Sequence, residues 1–247
     1  MSVLSSPGAR RIDMGLVVYG SGLLATGLRP ALERMNIVLF AAGVSNSRCD
    51  APSEFARERK RLDEALDRRS ASARFIYVST TSVTDPSSQD TPYVQQKRAI
   101  ERQLRTTHNH VIVRLPQVAG HSPNPHTLLN FLYSRIARSE HFELWEHAER
   151  NIIDVRDACA MLAAALRDPQ CNDVTITLAN THPVRMRTLV ACFEAVVGKP
   201  AVFTAVARGA ACNVPTVDAA RLAELTGVKF DEDYVHRVVA HYYARPR

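Results

Sequence analysis

The sequence predicts an α/β fold in which a parallel sheet is covered by helices on both faces. Three observations predict it. Short runs rich in Val, Ile and Phe (GLVVYG at 15–20, NIVLFAAG at 36–43, RFIYVST at 74–80 and HVIVRLPQVAG at 110–120) are apolar throughout rather than alternating, as strands buried on both faces are. Each of the first three is followed by a helix-length segment, so the chain reads as successive βαβ units. A length of 247 residues with 46% hydrophobic and 23% charged content suits one large domain, or a main domain carrying a small lobe, and excludes global disorder.

The elements follow in order. MSVLSSPGARRID (1–13) is polar and basic with no apolar centre, so it is expected to be a disordered tail rather than a secretory signal, with Met14 opening the fold. LLATGLRPALERM (23–35) has helical composition. EFARERKRLDEALDRR (54–69) mixes acids with bases and sets Phe55, Leu62 and Leu66 at helical spacing, which predicts a solvated amphipathic helix. That reading is preferred to a nucleic-acid surface despite the net charge of +6, which also suits a small phosphate-bearing ligand. A polar turn, TDPSSQDTP (84–92), leads into a helix from Val94 to Arg105. Beyond the fourth strand come a helix at HTLLNFLYSRIARS (126–139), a short run FELW (142–145) and a strand-like NIIDV (151–155). Asp157 opens the helix DACAMLAAALRD with an acid in its first turn, and VTITLAN (174–180) is a further strand. RMRTLVACFEAVVG (185–198) is a helix closed by Gly198, and VDAARLAELTGVKF (217–230) precedes a last helix through HRVVAHYYA. These later elements read as a lobe interwoven with the main sheet, within one domain spanning 14–247.

Several function classes fall away. Five cysteines without a CxxC pair read as reduced thiols in a cytoplasm, and nine histidines without HExxH or a Cys/His cluster give no metal site. The apolar runs are too short and too often broken by charge to span a membrane.

Two constellations carry chemistry. Gly20-Ser21-Gly22-Leu23-Leu24-Ala25 is a GxGxxA at the first strand-to-helix turn, where glycines allow a tight turn and close approach of a pyrophosphate, and the helix start favours the anion. This gives the sheet its Rossmann-like reading. Tyr93 and Lys97 stand four residues apart on a helix, hence on one face, so an ammonium can lie beside a phenol and favour its ionised form for proton transfer. A hydroxyl cluster, Ser79-Thr80-Thr81, ends the preceding strand and can hold a substrate oxygen. His121, Asn124 and His126 lie in a Pro-rich turn and read first as ordinary turn residues, then as a candidate lining of a sugar pocket.

On these motifs the chain resembles the extended short-chain dehydrogenase/reductases of the NAD-dependent epimerase/dehydratase type, over residues 14–245. FAAG (40–43) is similar to the strand ending that lies beneath the cofactor, FIYVSTTSVTD (75–85) to the catalytic hydroxyl segment with Thr80 at the hydroxyl position, and YVQQK to the family's Tyr and Lys. VRLPQVAG (113–120) resembles the next strand and turn, and LWEHAERNIIDVRDA (144–158) the segment in which an arginine, here Arg150, contacts a substrate diphosphate. The resemblance implies NAD or NADP as cofactor, with Gly20, Ser21, Gly22, Leu23, Leu24, Ala41, Ala42, Gly43, Ser79, Tyr93, Lys97 and Pro116 around it. It implies Tyr93, Lys97 and Thr80 as the catalytic set, Thr81, Asn124 and Arg150 on a nucleotide-sugar substrate, and a small C-terminal substrate lobe. On this scheme 14–122 is mainly the cofactor and catalytic part, and 123–247 is mixed and includes the lobe. Pairing of a homodimer through the helices near 54–69 and 94–105 is a family-based expectation.

The sequence also departs from the family. Only one short helix separates Gly22 from the strand at 36–43, where two more strand–helix units are expected, and one βαβ unit alone takes about 30 residues. Those units carry the residue that reads the adenosine ribose and chooses between NAD and NADP, so the strand number is reduced and that residue has no counterpart; Ser45–Arg48 is an alternative grip. Asn151 replaces an aspartate beside Arg150. Thr81-Ser82 stands where the family's dehydratases carry an Asp-Glu pair, which favours an epimerase or ketosugar reductase, acting for instance in surface-polysaccharide synthesis. The alternative is a non-catalytic NAD(P)- or sugar-nucleotide-binding regulatory protein on the same scaffold.

Overall fold

The computed structural model describes residues 15–85 and 91–244; the expected N-terminal tail and part of the turn at 84–92 lie outside them. The first half runs β1 (Val17–Tyr19), α1 (Leu23–Leu32), β2 (Ile37–Phe40), α2 (Pro52–Arg68), β3 (Arg74–Thr80), a 3-10 turn (Thr81–Thr84), α3 (Pro92–Leu104) and β4 (His110–Leu115). The second half runs β5 (Gln117–Ala119), α4 (Leu128–Ala137), β6 (Phe142–Trp145), β7 (Glu149–Arg150), β8 (Ile152–Asp154), α5 (Val155–Arg167), β9 (Val174–Thr177), β10 (Val184–Arg185), α6 (Met186–Val197), β11 (Phe203–Val206), α7 (Val217–Thr226) and α8 (Tyr234–Tyr243).

The main sheet has five strands in the order β1-β2-β3-β4-β9, every pair parallel. Alternation of side chains along the strands sends them into two cores. On one face Leu28 and Leu32 of α1 pack with Ile37, Leu39, Ile76, Val78, Val111 and Val113, together with α5 and α7. On the other, Leu62 and Ala65 of α2 and Ile100 and Leu104 of α3 pack with Val38, Phe40, Phe75, Tyr77 and Ile112. A third core joins α4, α6 and α8 with Phe142, Leu144 and Ile152, and forms the C-terminal lobe. Three two-stranded ladders, β5-β8, β6-β11 and β7-β10, tie that lobe together. The expected α/β architecture and its reduced strand number are thus present.

The connections β1–α1–β2 and β2–α2–β3 both step in the same direction across the sheet, yet α1 and α2 cover opposite faces. The two crossovers therefore have opposite hand, and one of them runs against the right-handed rule that governs nearly all such units. Among the described residues no strand pairs with the outer edge of β1.

One expectation is corrected. HVIVRLPQVAG is not one strand, because Pro116, which has no N–H to offer a ladder, divides β4 in the main sheet from β5, which pairs with β8 instead. The solvated amphipathic helix expected at 54–69 is present as α2, with Glu58 fully buried on its inner face beside Leu62 and Ala65. All five cysteines are free thiols, and no described helix is long and apolar enough to cross a membrane.

Candidate active site

In open α/β sheets a ligand crevice forms where the helices that follow two adjacent strands diverge to opposite faces. Here that divergence falls between β1 and β2, and its walls are the turn Gly20–Gly22 and the segment Ala41–Gly43. Gly20 has φ +122°, and a side chain there would meet the Ala41 carbonyl oxygen at 2.6 Å, so glycine is required by both conformation and space. Gly22 caps α1 with no side-chain hydrogen bond, and a Cβ on it would meet nothing within 4 Å. Ser21 and Gly22 are exposed, so the first amides of α1 face open space of the kind a phosphate fills. Leu23 and Leu24 turn their side chains into the α1-face core, leaving only their backbone for a ligand. Gly120 closes against Leu23 from the β5 side, while Pro116 is half-buried at the β4–β5 break.

Tyr93 and Lys97 lie in the first two turns of α3. Thr91 caps that helix by accepting from the Val94 amide at 3.3 Å, and Pro92 occupies its first position. Tyr93 is buried with Val83, Val94 and Val44. The Lys97 ammonium is 5.6 Å from the Tyr93 ring centre and 5.5 Å from that of Tyr77, so the pair shares one environment as the spacing requires. That ammonium does not face open solvent: Lys97 is 3% exposed and its Nζ donates to Glu58 Oε1 at 2.8 Å. Glu58 also accepts from the Tyr77 hydroxyl at 3.3 Å and from the Val44 amide at 3.2 Å. Burial, reinforced by the Glu58 carboxylate, pushes the Tyr77 phenol well above its ordinary value, so it stays a donor. Gly43 lies directly against the pair, so a Cβ there would displace the tips of Lys97 and Glu58.

Thr80 ends β3 and caps the 3-10 turn, accepting from the Ser82 amide at 3.2 Å and donating to Ser82 Oγ at 3.1 Å. Thr81 is half-buried, and its carbonyl accepts from the Thr84 hydroxyl. Ser79, expected near the cofactor, is buried beneath α3. Its hydroxyl donates at 2.7 Å to Glu101 of α3, which also receives Arg114 at 3.0 and 2.6 Å and Arg105 at 2.8 Å. Burial alone would raise the Glu101 carboxyl, but the hydrogen bonds from Arg114 and Ser79 hold it below the usual range. Ser79 is therefore part of an internal ionic network that ties α3 to β3 and β4, and its hydroxyl proton is directed to Glu101.

Arg150 lies on β7 and is half-buried, its guanidinium donating to the Glu149 carbonyl at 2.7 Å. Desolvation lowers its pKa, with the Cys212 thiol and Asp85 as its electrostatic neighbours. Asp85 follows the Thr81–Thr84 turn, so Arg150 is brought toward the hydroxyl segment. Asn151 beside it is a structural clamp: its amide donates to the Asn180 carbonyl at 2.6 Å and its oxygen accepts from the Asn180 amide at 2.9 Å. Asn124 reaches Ser45 at 3.5 Å, which links the Pro-rich turn to the loop after Gly43; His121 stands edge-on to Tyr242, and His126 is exposed. Two cavities, of about 400 and 620 Å³, lie against α8 and contain none of Tyr93, Lys97 and Thr80. Among the described residues no cluster of His, Cys, Asp or Glu could hold a metal.

Glu58 is the site residue that sequence reasoning missed. The signal was there: it falls three residues after Phe55 and four before Leu62, on the apolar face, where an acid is buried only with a partner.

Comparison with solved structures places the fold. RMD from Pseudomonas aeruginosa complexed with NADPH matches with a TM-score of 0.70 at 17% identity, over 91% of this chain and 96% of that one. UDP-glucuronic acid 4-epimerase from Bacillus cereus, in complex with UDP-glucuronic acid and NAD, matches with a TM-score of 0.67 at 17% identity, over 87% and 76%. dTDP-glucose 4,6-dehydratase from Bacillus anthracis in complex with NAD gives 0.60 at 11% identity, over 84% and 71%. A search of curated sequences found no match. A protein-family model matches residues 32–177, from the end of α1 to the end of β9, and on that match over more than half its length the chain belongs to the NAD dependent epimerase/dehydratase family.

Proposed function

We propose that the protein is an NAD(P)-dependent epimerase or ketosugar reductase acting on a nucleotide sugar. The observation that carries this reading is the Tyr93–Lys97 pair seated at Gly43, on the wall of the crevice that opens between β1 and β2. The residues suit a dinucleotide in part. Gly20–Gly22 and the uncapped start of α1 would hold the pyrophosphate, Ala41–Gly43 would floor the cleft, and Lys97 would reach a ribose hydroxyl. A bound nicotinamide would supply the hydride acceptor or donor. Tyr93 would move the proton of a sugar hydroxyl, Thr80 would hold the oxygen, and Arg150 would meet the diphosphate as a bidentate donor. Thr81 and Ser82 supply hydroxyls but no carboxyl, which keeps water elimination out of the proposal. A place in surface-polysaccharide synthesis in the cytoplasm, with a homodimer formed through α2 and α3, completes the reading.

A second reading is a NAD(P)- or sugar-nucleotide-binding protein without turnover; it is favoured by the Lys97–Glu58 ion pair, which directs part of the lysine's charge to Glu58 instead of the Tyr93 phenol. One set of measurements separates the two. Calorimetry is expected to give saturable binding of NADH or NADPH, and a screen of nucleotide sugars to give turnover that falls about 10²- to 10⁴-fold in Tyr93→Phe, the range for loss of a general acid–base group. Binding without turnover supports the second reading. Turnover unchanged by Tyr93→Phe removes Tyr93 from the chemistry.

A further inference from the structure

We propose that Glu58 is a positioning residue of this site, fixing the Lys97 ammonium against Gly43 so that it meets a cofactor ribose from one set direction; the inference rests on the oxidoreductase reading. Four observations carry it. Glu58 is 1% exposed although it belongs to a helix whose outer face is dense in charge. Its two oxygens meet three donors: Lys97 Nζ and the Tyr77 hydroxyl on Oε1, and the Val44 amide on Oε2. The lysine it holds stands within 6 Å of the ring centres of both Tyr77 and Tyr93. The backbone above the pair is Gly43, where a side chain would displace the tips of both groups.

A lysine side chain is long and flexible, and its ammonium carries three rotatable donors. Without an anchor it would sample many directions at the crevice wall. Glu58 spans from α2 to α3 and removes that freedom, so the lysine's remaining donors point where the fold sets them. An uncompensated charge at this depth would be strongly unfavourable, so the carboxylate and the ammonium require each other. Glutamine in its place has one acceptor oxygen and must turn its amide N–H₂ toward one of the three donors.

The test is a double-mutant cycle on the full chain, with NADPH and NADH as probes. Fluorescence titration is carried out on the wild type, Glu58→Gln, Lys97→Met and the double variant. Glu58→Gln is expected to weaken binding of the better dinucleotide about tenfold or more, a free-energy change resolvable in such a cycle. In the Lys97→Met background the same change is expected to have little further effect, because Glu58 acts through the lysine. Equal effects in both backgrounds, or no effect in the wild type, overturn the inference. Should the wild-type protein bind neither dinucleotide, the oxidoreductase reading fails and the inference fails with it; binding in the wild type with equal losses in both backgrounds overturns the inference alone.

Discussion

Ser79→Ala separates two readings of one hydroxyl. The family resemblance implies Ser79 beside a cofactor, and in the structure its hydroxyl donates to Glu101 Oε1 at 2.7 Å, with Ser79 6% exposed. A hydrogen bond to an ionised group contributes about 1.5–3 kcal/mol. Glu101 keeps Arg114 and Arg105 as donors when the serine hydroxyl is removed, so the loss belongs at the low end, about 1.5 kcal/mol. For a chain of this size each kcal/mol moves the melting temperature by roughly 2–4 °C, which gives an expected fall of about 3–6 °C. Differential scanning calorimetry measures that fall, and titration with NADPH on the same sample is expected to show no change in affinity. An unchanged melting temperature together with weakened dinucleotide binding would refute the reasoning and return Ser79 to the cleft.

Gly22→Ala tests the open space over the glycine turn. Its φ of −81° suits any residue and a Cβ there meets nothing, so thermal stability is expected to hold while NADPH affinity falls several-fold; intact affinity would move the pyrophosphate elsewhere. Acid sensitivity follows from two carboxyls held below their ordinary range, Glu101 and Asp154, both of which burial alone would raise but which their arginine hydrogen bonds lower. Groups with depressed folded values contribute stability that is complete above the unfolded value of about 4–4.5 and is lost as pH falls through the folded one. Asp157, raised by burial, works in the opposite direction and offsets part of that loss. Urea unfolding from pH 6 to pH 3 is expected to show a falling midpoint that Glu101→Gln flattens; an identical slope in that variant would exclude the network as its source.

What the sequence disclosed was what local chemistry decides. RFIYVST became β3 residue for residue, and Gly198 ends α6 at φ +72°, the left-handed conformation glycine was expected to supply. FELW marked β6, but its parallel pairing with β11 and the two-residue ladder β7-β10 were not legible, since they depend on partners dozens of residues away. The site was legible in its parts and not in its wiring. Tyr93 and Lys97 follow from helical spacing, but that Ser79 turns to Glu101 and Lys97 to Glu58 depends on how α2 and α3 pack on the sheet. A buried acid within a charged helix is hidden among its neighbours until the inner face is known.

The docking of α1 on α5 has a consequence for the integrity of the chain. Gly27 admits Val155 so closely that a Cβ would come within 2.5 Å of its methyl, and the Cys159 thiol donates to the Gly27 carbonyl at 2.8 Å. The orientation of the glycine turn is thus dictated by residues more than a hundred positions later in the chain. Truncation near residue 122 would strip Leu28, Leu32, Ile76 and Val111 of the helices that cover them. The two halves are interdependent: the segment that would cradle phosphate cannot be excised, transplanted or expressed as an autonomous module.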